Sequence, residues 1–351
     1  MPLTLVVPEL LWPEPGDRQT LESLDCPGLC TLLARSRLGR RPPQSFEAAL
    51  CEPFGLTGEL PYAAYRVLGE SGMTAAREAC WICADPVHLR LHQERLVLAD
   101  GGSLAIDSAE AEAIVGELNR QFSDIGTFHV ATAERWYLQF AGAPDLGQFD
   151  VLPLSTVAGR RVERQLPETP RLRWLRQLLN EIQMLLHRHP ANIKREEEGR
   201  STINSLWLWG AGALPATAAS SLAGVWADDP LALGLGRAFG LPAHPLPDDA
   251  GQCLSRCASA SRQLLVVDAL QRAVHYEDAD AWRAALLDLE ARWFAPLQKA
   301  LAGGRIGRLC LQATTAYGTL AWESGRSEQW KLWRRPEPLI SHVQSLARAK
   351  R

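Results

Sequence analysis

The sequence has no marked excess of charge of either sign and no long apolar run. Its formal net charge is −3, and acidic and basic residues are interspersed along the 351 positions. A nucleic-acid-binding surface needs a concentrated basic patch, so we predict no nucleic-acid partner. Because no apolar run reaches about 18 residues, we also predict neither a transmembrane helix nor a membrane partner.

The N-terminal stretch MPLTLVVPELLWPEPGD also lacks the basic segment with which a secretory signal peptide begins. Pro13 and Pro15 interrupt this stretch early, so it is typical of a first core strand. In the absence of an export signal, the eight cysteines are expected to be reduced thiols of a cytoplasmic protein.

The motifs of several enzyme classes are missing as well. The sequence contains no Walker A, G-x-S-x-G or H-E-x-x-H motif. Gly210 and Gly212 follow the apolar run NSLWLW, but Pro215 stands where a dinucleotide loop needs its third glycine. Trp207 and Trp209 lie two positions apart, so they share one face of the predicted strand. We expect that face to pack in the core of the protein, against the next predicted helix.

Short apolar strands alternate with amphipathic helices over most of the chain, with strand signals at 3–7, 264–268 and 308–312. This alternation predicts an α/β fold with a doubly wound, largely parallel sheet that is covered on both faces. The stretch 38–59 is predicted as loop, because Gly, Pro and polar residues cluster there.

Residues 80–187 interrupt this alternation. Two strand signals, an amphipathic helix that starts at Asp107 or Ser108, and two further strand signals follow one another there. This order predicts a small α+β module, followed by a long helix. We therefore predict a discontinuous core of residues 1–79 and 188–351, with an inserted α+β domain at 80–187.

The cysteines include one C-x-x-C motif, Cys80 with Cys83. Two further pairs have C-x-x-x-C spacing, namely Cys26 with Cys30 and Cys253 with Cys257. The C-x-x-C motif does not open a helix after a strand, as it would in a thioredoxin-like protein. No histidines lie near the other pairs at the spacing of a zinc finger. We predict buried structural thiols, and a zinc or redox role for Cys80 and Cys83 is the alternative.

His88 and Arg90 alternate along a predicted strand and therefore share one of its faces. Arginine and protonated histidine both donate hydrogen bonds to phosphate oxygens, so this face is a candidate anion-binding site. The alternative is a solvated face of an antiparallel sheet, which carries polar residues at the same spacing.

Five potential metal ligands occur close together in the sequence, namely Asp268, His275, Glu277, Asp278 and Asp280. Carboxylates and imidazoles together can bind a divalent metal ion. Acidic side chains also stabilise the first turn of a helix, and a helix is predicted directly after this cluster. Both interpretations stay open from the local sequence alone.

Two long stretches resemble one family of enzymes. LVLADGGSLAIDSAEAEAIVGELNRQF, followed by WYLQFAG, resembles the inserted domain of the archaeal-type cofactor-independent phosphoglycerate mutases. LHRHPANIKREEEGRSTINSLWLWGAGALP resembles the segment in which that family returns to its core. The H-x-x-N element of this segment falls on His189 and Asn192, and its glycine loop falls on Gly210 and Gly212. The chain is more similar still to RpfE-type regulatory proteins of bacteria, a divergent branch.

The resemblance implies the architecture of the alkaline phosphatase superfamily. Its members have a doubly wound α/β core, a site for two metal ions, and a serine nucleophile that carries the phosphoryl group. Two ions about 4 Å apart need roughly six Asp and His ligands in addition to that serine.

Most positions that the resemblance assigns to this chemistry carry other residues. Glu9 replaces the Asp of the first metal-binding element, and no glycine follows it. Leu60 stands at the position of the nucleophile, and Thr57 is near but out of register. His275 matches one His ligand, although Gln271 replaces the Asp of the same element.

Two further elements of the implied site are also missing. Ala313 and Thr314 replace an Asp-His pair, and no histidine occurs between 322 and 330. Without the metal ions, phosphoryl transfer loses its positioning and charge neutralisation. We therefore predict a phosphoglycerate mutase homologue with a degenerate metal site, which acts as a non-catalytic regulatory or ligand-binding protein.

This prediction specifies two sets of site residues. The remnant of the metal site consists of Glu9, Asp268 and His275, and no cofactor is expected. A phosphorylated small metabolite is predicted to bind at His88, Arg90, His189, Asn192, Gly210 and Gly212, and a partner protein is the other expected ligand. The alternative is an active phosphoglycerate mutase or related phosphotransferase with displaced ligands for Mn²⁺, Mg²⁺ or Zn²⁺.

Overall fold

The computed structural model describes most of the chain, namely residues 1–73, 78–92, 95–147, 149–162, 166, 168–216, 219–257, 261–331 and 333–349. The chain divides into two compact units. Residues Met1–Gly55 and Ala219–Arg351 form the first, which we call the core unit, and Leu56–Ala218 form the second, the inserted unit.

The strands of the described residues are β1 (Pro2–Val6), β2 (Arg37–Arg41), β3 (Trp81–His92), β4 (Arg95–Asp100), β5 (Gly126–Thr132), β6 (Arg135–Phe140), β7 (Arg161–Val162), β8 (Ser205–Gly212), β9 (Gly224–Trp226), β10 (Ala243–His244), β11 (Gln263–Val266), β12 (Arg308–Thr315) and β13 (Gly318–Gly325). Each strand forms pairs within its own unit.

The α-helices of the described residues are α1 (Arg18–Leu21), α2 (Pro27–Arg35), α3 (Phe46–Cys51), α4 (Tyr62–Gly69), α5 (Gly101–Leu104), α6 (Ser108–Gln121), α7 (Leu154–Val157), α8 (Arg173–Arg188), α9 (Pro190–Glu197), α10 (Pro230–Ala238), α11 (Ala250–Arg256), α12 (Gln271–His275), α13 (Ala279–Leu289), α14 (Ala295–Ala302), α15 (Arg326–Gln329) and α16 (Leu339–Arg348). Within this described part of the chain, none of the helices is long and apolar enough to cross a membrane.

The core unit is built on a sheet with the strand order β10-β9-β11-β1-β12-β13-β2. The first five strands are parallel, whereas β13 and β2 are antiparallel to their neighbours. Leu5 of β1 lies between Leu265 and Leu311 of the two neighbouring strands and is fully buried. Both faces of β1 are covered from Leu3 onward, as expected of a central parallel strand. The α/β fold with a largely parallel sheet is therefore confirmed.

The predicted loop at 38–59 is wrong in part. β2 lies in this stretch and pairs with β13 at the edge of the sheet, and α3 follows it. All five β2 residues, RLGRR, are exposed, so no alternation of apolar and polar residues marks the strand. An arginine-rich edge strand is one of the ways in which proteins protect a sheet edge, and it leaves little strand signal in the sequence.

The inserted unit contains an antiparallel sheet with the order β5-β6-β3-β4-β7, and β8 also pairs with β3. The helix α6 begins with a capping box, in which Asp107 and Glu110 each accept a hydrogen bond from the other's backbone. Apolar residues of α6 and α8, among them Ile114 and Ile182, pack in one buried cluster with Trp136 of β6. The predicted order of two strands, a helix and two strands is present, with the short helix α5 between β4 and α6.

The boundaries of the inserted unit differ from those predicted, since the unit also takes in 56–79 and 188–218. The reason is the long-range pairing of β8 with β3, in which Leu208 lies opposite Ala84. Trp207 and Trp209 were expected to pack in the core, but they belong to a buried cluster of the inserted unit. The Trp207 indole donates to the Leu152 carbonyl oxygen at 2.9 Å.

The helix α4 is joined to β3 by a buried ion pair. The Arg66 guanidinium donates to Asp85 Oδ2 at 2.8 Å, and the Trp209 indole N–H donates to the same oxygen at 2.8 Å. The Asp85 side chain is fully buried and that of Arg66 is 12% exposed. Because a buried charge without its partner is costly, these contacts fix 62–69 to the sheet.

We expect Arg66→Met to lower the free energy of unfolding by about 3–5 kcal/mol, since it leaves the Asp85 carboxylate buried without its cation. The double variant with Asp85→Leu should recover part of this loss. Arg41→Met is the matched control, because the Arg41 side chain is 49% exposed in its ion pair with Glu52, and its loss should stay below about 1 kcal/mol. Urea denaturation followed by circular dichroism measures all three, and equal losses for both single variants would contradict the assignment.

Candidate functional site

The carboxyl ends of three adjacent parallel strands carry acidic side chains in the core unit. Glu9 follows β1, Asp228 and Asp229 follow β9, and Asp268 follows β11. Open α/β sheets bind their ligands at this edge, because the carboxyl ends of parallel strands meet there. This edge is therefore the first place to look for a functional site.

The carboxyl group of Asp268 has a perturbed pKa. Burial, together with the negative charges of Asp229 and Asp228, raises the pKa of Asp268 to about 6. The backbone carbonyl of Asp268 accepts the Gln271 N–H at 3.0 Å, so the residue also leads directly into α12. A carboxyl group with this pKa is partly protonated in weakly acidic solution.

The two aspartates after β9 bind backbone donors of the protein. Asp229 Oδ1 accepts the Ala232 N–H at 2.8 Å and caps α10. Asp228 Oδ1 accepts the Leu246 N–H at 3.0 Å. The sequence analysis missed both residues, although Asp-Pro directly after an apolar strand is a common way to begin a helix.

Glu9 lies in a turn that is held on two sides. Its N–H donates to the Thr314 carbonyl at 2.8 Å, and its own carbonyl accepts the Trp282 indole N–H at 3.1 Å. The φ angle of Glu9 is 55°, in the left-handed region that non-glycine residues seldom adopt. This conformation costs about 1–2 kcal/mol, so the surrounding contacts are needed to maintain it.

His275 is buried at the C-terminal end of α12. Within the described ranges, no three or more His, Cys, Asp or Glu side chains are grouped so that they could hold a metal ion. Glu9, Asp268 and His275 thus do not form a three-ligand group, and their role as a remnant metal site stays a prediction. The donor set does not fit the two metal ions that the resemblance implies, which need roughly six ligands.

The remaining predicted site residues belong to the inserted unit. Thr57 is exposed in the loop before α4, and its role as a nucleophile stays a prediction. Arg90 is exposed on β3, and His88 is half-buried on the same face. His88 donates from Nδ1 to the Thr202 carbonyl oxygen at 2.8 Å, so only its Nε2 is left for another partner.

His189 and Asn192 connect α8, α9 and the approach to β8. His189 Nδ1 accepts the Ala191 N–H at 3.2 Å and caps α9, and burial lowers the pKa of this imidazole. Asn192 Nδ2 donates to the carbonyls of Leu186 and Ile203, and its Oδ1 accepts the Ile203 N–H, all at 2.7–2.8 Å. The H-x-x-N element therefore has a structural role here, and its predicted role in ligand binding is untested.

Gly210 and Gly212 let the end of β8 approach the start of α4. A Cβ atom at Gly210 would lie 2.8 Å from Tyr62 Cβ, and one at Gly212 would lie 2.8 Å from Pro61 Cβ. Both glycines also have positive φ angles, 65° and 144°. Close packing and backbone conformation therefore account for both residues, without any need for a ligand.

A surface groove of about 510 Å³ lies between α6, α8 and the start of α9. His189 lines this groove together with Arg188, Glu117 and Glu181. One arginine among two carboxylates does not favour a phosphate group, because the carboxylates repel it. The predicted anion site at His88 and Arg90 lies outside this groove and stays a prediction.

No family model matches the chain. The chain is 26% identical over 206 residues to a 2,3-bisphosphoglycerate-independent phosphoglycerate mutase of Methanosarcina mazei, a match that covers 57% of this chain and 51% of that protein. A probable enzyme of the same name from Geobacter sulfurreducens is 26% identical over 223 residues, covering 58% and 52%. The chain thus spans about half the length of the curated relatives that it matches.

A solved structure of a protein from Pyrococcus horikoshii has a TM-score of 0.59 to this chain, with 14% identity. The likeness covers 99% of this chain and 96% of that one. At this identity the likeness shows a shared fold alone, and the alkaline-phosphatase-like relationship stays a prediction.

We expect the stability of the protein to depend on pH through Asp268. The pKa of this carboxyl is about 6 in the folded chain and about 3.9 in an unfolded one. The folded state therefore binds the proton more tightly than the unfolded state does. The contribution of this protonation to the free energy of unfolding is fully present below about pH 4 and is lost as the pH rises through about 6. Asp268→Asn should accordingly be more stable than the wild type by up to about 3 kcal/mol at neutral pH, and similar to it near pH 4.

Denaturation between about pH 4 and neutral pH measures the difference in the free energy of unfolding between Asp268→Asn and the wild type. Asp124→Asn, which changes an exposed carboxylate, is the control. A difference between Asp268→Asn and wild type that is constant with pH would contradict the assignment.

Proposed function

We propose that this chain is a phosphoglycerate mutase homologue with a degenerate metal site, and that it acts as a non-catalytic regulatory or ligand-binding protein. Similarity to curated phosphoglycerate mutases over 57% of the chain supports the relationship. We further propose that it belongs to a divergent branch of RpfE-type regulatory proteins of bacteria and that it is cytoplasmic.

The observation that carries the proposal is the use of the acidic side chains at the carboxyl edge of the core sheet. Two-metal phosphoryl transfer needs converging, ionised ligands and depends on charge neutralisation. Here Asp229 caps a helix, Asp228 binds a backbone N–H, and Asp268 has a pKa of about 6. Two of the carboxylates thus bind the protein's own backbone, and the raised pKa of Asp268 disfavours the ionised form that a metal ion needs. A pseudoenzyme of this kind would retain the fold and lose the reaction.

A phosphorylated small metabolite remains the proposed ligand, with a partner protein as the other possibility. The exposed Arg90 guanidinium and the free Nε2 side of His88 lie on one face of β3, which supports an anion site there. Thr202 fixes the orientation of the His88 ring, so this part of the face is ordered before any ligand binds.

The alternative is an active phosphoglycerate mutase or related phosphotransferase with displaced ligands. One observation favours it, namely that Asp228 and Asp229 lie close enough to Asp268 to raise its pKa. Such an enzyme would need Mn²⁺, Mg²⁺ or Zn²⁺ at the carboxyl edge of the core sheet, and binding would require all three carboxyl groups to be ionised.

Metal analysis of the native protein, purified without chelators, distinguishes the two proposals. We expect no stoichiometric transition metal and no conversion of 3-phosphoglycerate to 2-phosphoglycerate with added Mn²⁺. Two tightly held ions per chain, with turnover that Asp268→Asn abolishes, would overturn the non-catalytic assignment. Glu59→Gln, which changes an exposed carboxylate, is the control for that variant.

Isothermal titration with 3-phosphoglycerate tests the anion site separately. Arg90→Ala should weaken binding about tenfold or more, because a charge-assisted hydrogen bond contributes roughly 1.5–3 kcal/mol. Arg120→Ala removes an exposed cation of the same unit and should leave binding unchanged. Equal affinity of wild type and Arg90→Ala would eliminate this face as the binding site.

A further inference from the structure

The structure brings one pair of cysteine sulfurs into contact. Cys253 Sγ and Cys257 Sγ lie 3.7 Å apart and share a thiol hydrogen bond. Both belong to the core unit and are free thiols, Cys253 buried and Cys257 half-buried. The sequence analysis considered a redox role for the C-x-x-C motif, whereas the sulfur contact occurs at a C-x-x-x-C pair.

The end of α11 places these two side chains together. Cys253 lies in the helix, and Cys257 follows the last helical residue, with its N–H donating to the Cys253 carbonyl at 3.0 Å. Residues four apart on a helix have Cβ atoms about 5–6 Å apart, whereas those of a disulfide are about 3.5–4.5 Å apart. The pair must therefore close by roughly 1–2 Å, which the position of Cys257 just beyond the last helical residue allows. Bond formation at about 2.05 Å would bring the sulfurs closer by roughly 1.7 Å.

The two thiols differ in the way that thiol oxidation requires. The pKa of Cys257 is lowered, first because its sulfur accepts the Cys253 S–H and also through a hydrogen bond with Trp226, while burial opposes the change. The pKa of Cys253 is raised, by the same thiol hydrogen bond and by burial. Of the two thiols, the half-buried Cys257 is therefore the more readily ionised, and the thiolate is the form that reacts with oxidants.

We propose that Cys253 and Cys257 form a redox modification site, at which a hydroperoxide converts the two thiols into a reversible disulfide. The Cys257 thiolate attacks one oxygen of hydrogen peroxide, the O–O bond breaks, and the leaving hydroxide takes up from solvent the proton that the thiol lost on ionisation, so that a sulfenic acid and one water are formed. The Cys253 sulfur then attacks the sulfenic sulfur, loses its proton to the departing hydroxyl, and releases a second water. Two thiols thus give up two electrons, and a dithiol reductant reverses the reaction by thiol–disulfide exchange.

The pair lies beside the strand that leads to the carboxyl edge of the core sheet. Trp226, the last residue of β9, donates its indole N–H to Gln263 Oε1 at 3.1 Å and contacts the His244 ring at a centroid distance of 4.5 Å. Trp226 and Cys253 belong to one buried apolar cluster, against which Cys257 packs. Movement of the two sulfurs on oxidation would therefore alter the packing of a cluster that includes a residue two positions before Asp228.

Cys26 and Cys30 provide a control with the same C-x-x-x-C spacing in the same unit. Burial, with the nearby Glu290 charge, raises the pKa of Cys26 to about 12 and that of Cys30 to about 11. Both remain protonated at neutral pH and lack a reactive thiolate. The two pairs therefore separate the effect of sequence spacing from the effect of the local environment.

The test uses the full chain, hydrogen peroxide and peptide mapping under non-reducing conditions. Trypsin cleaves after Arg256, so a disulfide would link the otherwise separate peptides 238–256 and 257–262. We expect this linked peptide to form at least tenfold faster than any oxidation of Cys26 or Cys30, and to disappear with dithiothreitol. Oxidation of both pairs at the same rate, or no linked peptide, would overturn the proposal.

Single variants assign the order of the two steps. In Cys253→Ser the sulfenic acid should accumulate on Cys257 and be trapped by dimedone, whereas Cys257→Ser should leave Cys253 unmodified. Circular dichroism establishes that both variants are folded. Trapping on Cys253 of the Cys257→Ser protein, at the rate seen for Cys257, would contradict the proposed order.

Discussion

The inserted unit depends on a buried cation. The Arg66 guanidinium lies over the rings of Tyr137 and Trp209, at 5.6 and 5.3 Å from their centroids, and forms its ion pair with Asp85. Asp85 Oδ1 has no hydrogen-bond partner among the described residues, so the carboxylate relies on contacts at its other oxygen. Burying these charges is tolerable only when they are paired, and the pairing requires α4, β3 and β8 together.

The need to pair buried charges extends to β6 through a second ion pair. Tyr137 donates its hydroxyl to Glu70 Oε1 at 2.7 Å, and Arg135 binds both oxygens of Glu70 at 2.7 and 2.9 Å. The Glu70 side chain is only 4% exposed. The segment around α4 therefore cannot leave the sheet without exposing or unpairing several charges, which explains why the inserted unit begins well before residue 80.

The carboxyl edge of the core sheet uses its charged groups in a different way. Acidic residues remain after β1, β9 and β11, but those after β9 bind backbone groups and Asp268 is raised in pKa. A helix cap needs one well-placed oxygen, whereas a metal site needs several. The proposal of a non-catalytic protein rests on this use of the carboxylates.

Local patterns predicted much of the fold. The apolar runs at 3–7, 264–268 and 308–312 gave β1, β11 and β12, and the helix after Asp107 begins as predicted. The pairing of β8 with β3 was not predicted, because it joins positions more than 100 residues apart and leaves no local periodicity.

The sites were harder to predict than the fold. Spacing alone did not distinguish the Cys253 and Cys257 pair from Cys26 and Cys30, because contact between the sulfurs depends on where the helix ends. The structural role of Asn192 likewise depends on Ile203, a residue eleven positions further along the chain.

The most direct test of the account is a crystal structure of the protein grown with millimolar Mn²⁺, with diffraction data collected at the manganese absorption edge. Anomalous scattering locates bound Mn²⁺ independently of activity. The account predicts no anomalous peak at the carboxyl edge of the core sheet, with Asp228 and Asp229 still bound to the backbone N–H groups of Leu246 and Ala232. Two peaks about 4 Å apart, coordinated by Asp228, Asp229 or Asp268, would contradict it.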